Sequence, residues 1–359
     1  MKVLTGYLLR EFFKLVLISE GILLFLFLTV DFLQKIDNFI EAGAQEKVMI
    51  IYFAYRMPFV AMSMFPPAAL ISVILLFSGM QKRNEITALK ASGLSVLKLC
   101  LTILGASLFM VAGVFAFSET VVPYTSSKSN KIWSVDVQKR DPGLFYGQNE
   151  IWYRSKNAIY WIRQFDGKKK IMIHPTLYFF DDSFHLIRRV EGRRAVWNRG
   201  VWLVEDGILL ESGNDERFRT RQFDTYALKI PETPETFMKG TKRPEEMSYW
   251  QLKRYAEMVG REGYNNTRYL VDMHIKIAFP FITLVLLMIG MPLALKVKRG
   301  GMPLAVSLGM AVSFLYLLTL GISRSLGLSG VLSPLLSAWI ANFIFALAGV
   351  YLLIQLSSE

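Results

Sequence analysis

Few residues of this chain stand in patterns that catalysis or metal binding requires. The three histidines, His174, His185 and His274, form no metal-ligating pattern with cysteines or carboxylates, so we expect no metal site. Asp181-Asp182 could form an acid–base pair, but adjacent strand residues point to opposite faces, and a turn is the better interpretation. The chain also lacks a Gly-x-x-x-x-Gly-Lys-Ser/Thr phosphate loop and a Gly-x-Ser-x-Gly nucleophile elbow. We therefore predict no catalytic residue and no cofactor.

Charged residues inside apolar segments are stronger functional candidates. Glu20 lies within the apolar stretch Leu15–Val30, and an ionisable side chain in a membrane span is a functional candidate by default. Arg268, Asp272 and Lys276 follow one another at four-residue steps, which places three charges on one helical face. We predict that these charges orient a membrane helix; a role in gating is the alternative.

Composition places these charges in a membrane protein. Of the 359 residues 53% are hydrophobic, and the formal net charge is +12. The apolar residues are bunched, and the single cysteine, Cys100, lies among them, which excludes a disulfide framework. The basic residues are not clustered with aromatics on one soluble face. A membrane surface therefore explains the positive charge better than nucleic acid does.

Six segments are apolar enough to cross a bilayer, which takes about 20 residues. The first, Leu15–Val30, is short and contains Glu20. A cleavable signal peptide is its alternative, but Val30-Asp31-Phe32 offers no small-x-small cleavage site, so we predict an uncleaved helix. The other five carry no charged side chain: Phe59–Met80, Leu99–Ser118, Ile277–Leu295, Met302–Ser323 and residues 325–358.

The short connections predict the orientation. Lysine and arginine concentrate in residues 81–98 and 296–301, whereas residues 31–47 are rich in acids. The positive-inside rule then predicts cytoplasmic termini and a large outward loop, residues 119–266.

Residues of that loop read as short strands separated by turns. Five aromatic and β-branched runs alternate with turn signals such as Asp206-Gly207. The five predicted strands are Glu150–Arg154, Ala158–Arg163, Thr176–Phe180, Arg194–Trp197 and Val201–Val204. Ser248 then begins a short amphipathic helix. We predict an α+β membrane protein with six transmembrane helices, three on each side of an inserted periplasmic antiparallel β jelly roll. The predicted domains are residues 1–120, 121–247 and 248–359.

Four motifs resemble the lipopolysaccharide export permease family, the LptF/LptG pair. Phe65-Pro66-Pro67-Ala68-Ala69-Leu70 is similar to a stretch in the family's second span. Residues 82–93, from Lys82 to Gly93, resemble its coupling segment, and Arg268-Tyr269 with Lys276 and Pro280 resembles the start of a later helix. Leu326–Gly330 followed by Trp339–Asn342 is more similar to LptG than to LptF.

The resemblance implies a permease subunit without enzymatic activity that exports lipopolysaccharide. It also implies several partners: an LptF-like permease, an LptB-like cytoplasmic ATPase dimer that binds ATP and Mg, a bitopic LptC-like protein and an LptA-like periplasmic bridge. Coupling to the ATPase would fall on Glu85, Arg83, Ala91 and Gly93. A solvated interfacial charge is the alternative for Glu85.

Lipid A presents phosphates at the outer membrane surface, so its site requires cations there. The candidates are Lys35, Arg56, Lys128 and Lys131, with snorkelling membrane anchors as the alternative. In the β domain, Trp152 and Ile159 are candidates for a conduit for acyl chains, unless these aromatic strands only fill a core.

Two other function classes stay open. A membrane-anchored signalling or assembly protein would bind a periplasmic partner through the β domain, but it has no need of a coupling segment. A lipid-modifying enzyme would require a carboxylate or histidine cluster at the membrane face.

Overall fold

The computed structural model describes most of the chain. The described residues are 2–139, 151–155, 157–166, 169–181, 183–198, 200–212, 218–234, 237, 243–261, 265–296 and 301–357. They divide into two compact units. The helical unit contains residues 1–37, 49–129 and 244–359, and the β unit contains residues 38–48 and 130–243.

Long helices account for most of the structure. Within the described part of the chain, six of them are long and apolar enough to cross a membrane, which confirms the predicted number of spans. The helices are α1 (Lys2–Glu41), α2 (Glu46–Lys82), α3 (Glu85–Ala91), α4 (Val96–Ile132), α5 (Tyr249–Arg261), α6 (Thr267–Lys296), α7 (Gly301–Leu328) and α8 (Pro334–Ser357). All except the short α3 and α5 are candidate spans. At 1.5 Å per residue, the 40 residues of α1 extend for about 60 Å, so this helix continues beyond a bilayer core.

Two glycines on other helices permit close approach to α2. A Cβ atom added to Gly290 of α6 would lie 2.3 Å from Leu70, and one added to Gly309 of α7 would lie 2.3 Å from Ile74. Leu70 and Ile74 are fully buried. Small residues therefore let α6 and α7 pack directly on α2, as is typical of membrane helices.

The amphipathic helix α5 begins with a capping box. The backbone N–H of Gln251 donates to the Ser248 hydroxyl at 3.2 Å, and the N–H of Ser248 donates to the Gln251 side chain at 3.1 Å. This reciprocal pair fixes the start of the helix, as predicted from Ser248. Leu252 and Ala256 are fully buried.

Among the described residues, six antiparallel strands lie in sequence between the third and fourth span, which confirms the predicted antiparallel β insertion. They form one sheet with the order β1 to β6. The strands are β1 (Ile151–Arg154), β2 (Ala158–Asp166), β3 (Ile171–Phe180), β4 (Leu186–Asn198), β5 (Val201–Ser212) and β6 (Phe218–Leu228). Each strand pairs with the next along the chain, so the connections are those of a meander.

A line of interrupted strand pairing, the crease, crosses this sheet. Residues on both sides of the crease belong to one core. Pairing from β2 to β6 is interrupted at the row Arg163, His174, Arg193, Asp206 and Asp224, all exposed. His174 and Asp206 have φ angles of 46° and 49°, which reverse the local twist. The alternation of buried residues shifts by one position at the row, so Ile162 and Phe165, three apart on β2, both enter the same core. A single bent sheet thus covers two sides of its core.

Candidate functional site

Two of the predicted phosphate-binding cations converge on one carboxylate. Lys35 forms an ion pair with Asp31, one turn earlier on α1. Arg56 of α2 places its Nε 3.7 Å from Oδ2 of the same aspartate. Only 10% of the Asp31 side chain is exposed. This ion cluster of Asp31, Lys35 and Arg56 therefore joins α1 to α2 with one anion and two cations.

Aromatic rings support both cations. The Lys35 ammonium lies 5.5 Å from the ring centre of Tyr52, and the Arg56 guanidinium lies 5.4 Å from that of Phe59. Such cation–π contacts stabilise a charge without neutralising it. Among the described residues, Arg56 Nε and Asp31 Oδ2 are buried and have no hydrogen-bond partner. The ion cluster is therefore incompletely satisfied.

An apolar groove runs beside the ion cluster, between α1 and α2. Its cavity volume is about 470 Å³. The groove is lined by Phe25, Leu28, Thr29, Phe32, Met49, Ile50, Phe53, Ala54 and Met57. The one hydroxyl, that of Thr29, donates to the carbonyl of Phe25 at 2.8 Å and presents no free polar group.

The spacing of residues places the ion cluster along the edge of this groove. Asp31 follows Leu28 by three residues on α1, and Arg56 follows Phe53 by three residues on α2. The rings of Phe32 and Phe53 approach to 5.5 Å across the groove. Two cations beside an apolar wall fit an amphiphile with an anionic head and an acyl chain.

The other two predicted cations lie on α4. Lys128 lies 5.7 Å from the ring centre of Tyr124, and Tyr124 packs edge-on to Tyr55, the neighbour of Arg56, at 6.5 Å. Lys131 is exposed in the last turn of α4 and belongs to the β unit. The structure thus brings together Lys35 and Arg56, while Lys128 approaches α2 only through two tyrosine rings.

Glu85 lies in the predicted coupling segment, at the start of α3, and contacts Arg83 and Tyr7. Arg83 donates a hydrogen bond to Glu85 Oε1, and the Tyr7 hydroxyl lies 3.4 Å from Glu85 Oε2. Arg83 Nη2 also lies 3.4 Å from the Tyr7 hydroxyl. The hydrogen bond and negative charge of Glu85 raise the pKa of the Arg83 guanidinium. Tyr7 of α1, which sequence reasoning missed, thus lies against the segment.

Helix α3 has an anchored face and a free face. Ile86 is buried in the core of the helical unit, and Leu89 packs against it. Ala91 and Gly93 are exposed. Gly93 has a φ of 78°, and its N–H donates to the carbonyl of Lys90 at 3.0 Å. This left-handed position ends the helix and explains the glycine.

The predicted charged face of α6 has a partner on another helix. Arg324 of α7 donates two hydrogen bonds to Asp272 Oδ1, at 2.7 Å from Nη2 and 3.1 Å from Nε. Arg268 is exposed. Lys276 is partly buried and interacts electrostatically with Glu119, Glu245 and Asp272. Sequence spacing along α6 could not indicate Arg324, which lies 52 residues away.

Glu20 lies at the middle of α1 and is partly buried, with both carboxylate oxygens shielded from solvent. Among the described residues, neither of its carboxylate oxygens has a hydrogen-bond partner. Glu20 therefore forms no hydrogen bond with Arg268, Asp272 or Lys276.

Trp152 and Ile159 lie on the face of the sheet that points away from the core. Trp152 pairs with Trp161 and is 61% exposed, and Ile159 lies between the buried residues Ala158 and Tyr160. Strand alternation therefore turns both candidates outward. Tyr153 and Tyr160 are the residues of these strands that stack on the core side, with ring centres 5.8 Å apart.

Comparison of the sequence with those of known proteins relates this chain to one family. The sequence model of "Lipopolysaccharide export system permease LptF/LptG" matches residues 6–355. The chain is 21% identical over 296 residues to the lipopolysaccharide export system permease protein LptG of Escherichia coli strain K12, which covers 82% of this chain and 81% of that protein. The protein of the same name from Escherichia coli O6:H1 gives the same identity and coverage.

Proposed function

The chain belongs to the lipopolysaccharide export permease family LptF/LptG, and from this we propose that it is the permease subunit of an ABC transporter. The transporter extracts lipopolysaccharide from the inner membrane and passes it to a periplasmic bridge. The two relatives bear the name LptG, and we assign the LptG role to this chain.

The observation that carries the proposal is the ion cluster beside the apolar groove. Lipid A combines phosphates with acyl chains, and Lys35 and Arg56 supply cations that match a phosphate. The groove offers a wall free of unpaired polar groups, which an acyl chain requires. Lys128 is a further cation for the polar part of the substrate, and its Tyr124–Tyr55 contact leads toward Arg56.

The proposed orientation puts the α1–α2 connection outside and α3 in the cytoplasm. It rests on the basic residues of 81–98 and on the acids of 31–47. A cysteine introduced at the exposed Gly200 would then react with a membrane-impermeant reagent added to the periplasmic side, and one at Glu85 would not. Labelling of position 85 from outside would contradict this orientation.

We further propose that α3 binds the ATPase partner. The free face of α3 contains small side chains, while Ile86 anchors its other face. A small-residue face permits close approach of a soluble partner. ATP and Mg would be bound by that ATPase. Affinity purification from native membranes, followed by identification of the co-eluting subunits, tests the proposed LptF-, LptB-, LptC- and LptA-like partners.

Direct lipid binding tests the site itself. The purified chain in nanodiscs should bind bisphosphorylated lipid A more tightly than the fully dephosphorylated lipid. Lys35→Gln or Arg56→Gln should weaken binding of the phosphorylated form about tenfold, since hydrogen bonds to charged groups contribute about 1.5–3 kcal/mol. Lys47→Gln, an exposed lysine in the first turn of α2, is the matched control. Equal binding of both lipids by the wild-type chain would contradict the proposed site.

A further inference from the structure

We propose that Asp31 is a built-in counterion that holds Lys35 and Arg56 while the groove is empty and that a lipid phosphate displaces it. The proposal rests on the proposed function and deepens it. Asp31 then limits how tightly the substrate binds. Its negative charge does not attract the phosphate but competes with it for the two cations.

The first step concerns the charges of the ion cluster. Asp31 is shared by two cations, Lys35 on its own helix and Arg56 on α2. One carboxylate between two cations leaves a single positive charge, and the whole cluster is shielded from water, since the three side chains are between 10% and 27% exposed. Coulomb interactions are strong in such a place, and a second anion would be attracted by the cations and repelled by Asp31.

The second step concerns hydrogen bonds that are not made. Arg56 Nε lies 3.7 Å from Asp31 Oδ2, which is beyond hydrogen-bond distance, and both atoms are buried without a partner among the described residues. Asp31 already binds Lys35 through its other oxygen. A buried donor without an acceptor is unfavourable, and native proteins rarely keep one without a functional reason.

A phosphate satisfies this arrangement better than the carboxylate does. It has more acceptor oxygens than a carboxylate and is tetrahedral, so it can accept from Arg56 Nε and from the Lys35 ammonium together. The acyl chain of the same lipid enters the groove, whose lining on α1 includes Leu28 and Phe32, on either side of Asp31 along the helix. Exchange of one anion for another keeps both cations paired throughout binding and release.

The counterion role and a positioning role predict opposite changes in the affinity for phosphate when Asp31 is neutralised. If Asp31 competes with phosphate, its neutralisation strengthens phosphate binding and slows dissociation. If Asp31 only orients the two cations, its neutralisation frees their side chains and weakens binding. The direction of the change therefore distinguishes the two roles.

The experiment compares wild type, Asp31→Asn and Asp37→Asn in nanodiscs, with bisphosphorylated and fully dephosphorylated lipid A as the probes. Asp37 is an exposed aspartate on the same helix and serves as the matched control. We expect Asp31→Asn to bind the phosphorylated lipid about threefold to tenfold more tightly, with a slower dissociation rate. Its affinity for the dephosphorylated lipid and both affinities of Asp37→Asn should equal those of wild type.

Unchanged or weaker binding of the phosphorylated lipid by Asp31→Asn would overturn the counterion role. If wild type still prefers the phosphorylated lipid in that experiment, the proposed function stands while this inference fails. A wild-type chain without that preference removes the basis of both. Asp31→Ser, which lacks both the charge and the amide, repeats the measurement if Asp31→Asn does not give a monodisperse protein.

Discussion

The hydroxyl of Tyr316 on α7 donates a hydrogen bond of 2.7 Å to the side-chain oxygen of Asn342 on α8. The amide nitrogen of Asn342 donates in turn to the carbonyl of Ala278 on α6 at 2.9 Å. Tyr316 is fully buried and Asn342 is 4% exposed. One asparagine thus connects three candidate membrane helices through polar contacts, which contribute about 0.6–1.7 kcal/mol each in membrane proteins.

Loss of this connection should loosen the last three helices. We expect Tyr316→Phe to lower the free energy of unfolding by about 1 kcal/mol, because Asn342 loses a donor. Asn342→Leu removes both hydrogen bonds and should lower it further. Thermal unfolding of the detergent-solubilised chain measures the effect as a lower Tm. Tyr351→Phe, at a tyrosine that is 67% exposed, is the control. Equal Tm values for the two Tyr→Phe variants would refute the expectation.

A second buried pair lies in the β unit. The Tyr160 hydroxyl donates to Glu232 Oε2 at 2.9 Å, and Glu232 is 6% exposed. The indole N–H of Trp202 donates to the backbone carbonyl of the same glutamate at 2.9 Å. Burial, followed by the charge of Glu232, raises the pKa of the Tyr160 hydroxyl. The donor therefore remains protonated well above neutral pH.

Removal of that donor should destabilise the β unit. Tyr160→Phe leaves the buried Glu232 carboxylate without this hydrogen bond, and we expect a loss of about 1–3 kcal/mol. Hydrogen exchange of β2 to β5 in the full-length chain measures it, with Tyr226→Phe as the control. Since the folded-state pKa of Tyr160 is raised, its contribution is present below the unfolded pKa of about 10 and is lost as the pH rises above it. The variant should lack this alkaline loss; an unaltered pH profile would contradict the assignment.

The helices were predictable because the membrane imposes one strong constraint. An apolar run of sufficient length must form a helix in a bilayer, so the positions of the six spans could be predicted from the apolar runs alone. The lengths did not follow, because α1 continues for ten residues beyond Asp31, through a segment that contains the charged residues Lys35, Asp37 and Glu41. Its extension is what places Lys35 one turn from Asp31.

The strands were predictable only where aromatic and β-branched residues cluster. Strand β6 was missed because it is an edge strand with an exposed, polar sequence that includes Arg219, Arg221 and Asp224. The first half of β4 was missed for a similar reason, since Arg188 and Arg189 dominate it. The crease shifts the alternation by one residue within the strands, so no uniform period of two runs through them.

The sequence indicated which residues carry charge but not which of them meet. Lys35 and Arg56 were candidates from their types and from the family resemblance, whereas their common partner Asp31 depends on the packing of α1 on α2. Tyr7 and Arg324 were missed because each contacts its partner across more than 50 residues of sequence. Contacts of this kind are made by the tertiary fold, and a pattern within one helix cannot reveal them.

The contacts of Glu85 predict graded effects on coupling. Glu85→Ala should weaken association with the proposed ATPase and reduce lipopolysaccharide export, while the chain remains inserted. Tyr7→Phe keeps the Arg83–Glu85 pair and removes only the two 3.4 Å contacts of the Tyr7 hydroxyl, so a smaller effect is expected. Co-purification of the ATPase and an export assay measure both, and Glu11→Ala on α1 is the control. Association and export at the wild-type level in Glu85→Ala would show that Glu85 has no coupling role.

The ion pair of Asp272 and Arg324 predicts that loss of Arg324 alone lowers stability more than loss of both charges does. The Asp272 side chain is 8% exposed, whereas that of Arg324 is 45% exposed. Arg324→Ala leaves a buried carboxylate without its partner, and we expect a loss of about 1–3 kcal/mol, less than for a fully buried pair because water reaches the arginine. Asp272→Asn combined with Arg324→Ala removes the uncompensated charge and should recover part of that loss. Thermal unfolding of the two single variants and the double variant gives the coupling energy. Additive losses would mean that the two side chains contribute independently, and the ion pair would then not be what holds α6 against α7.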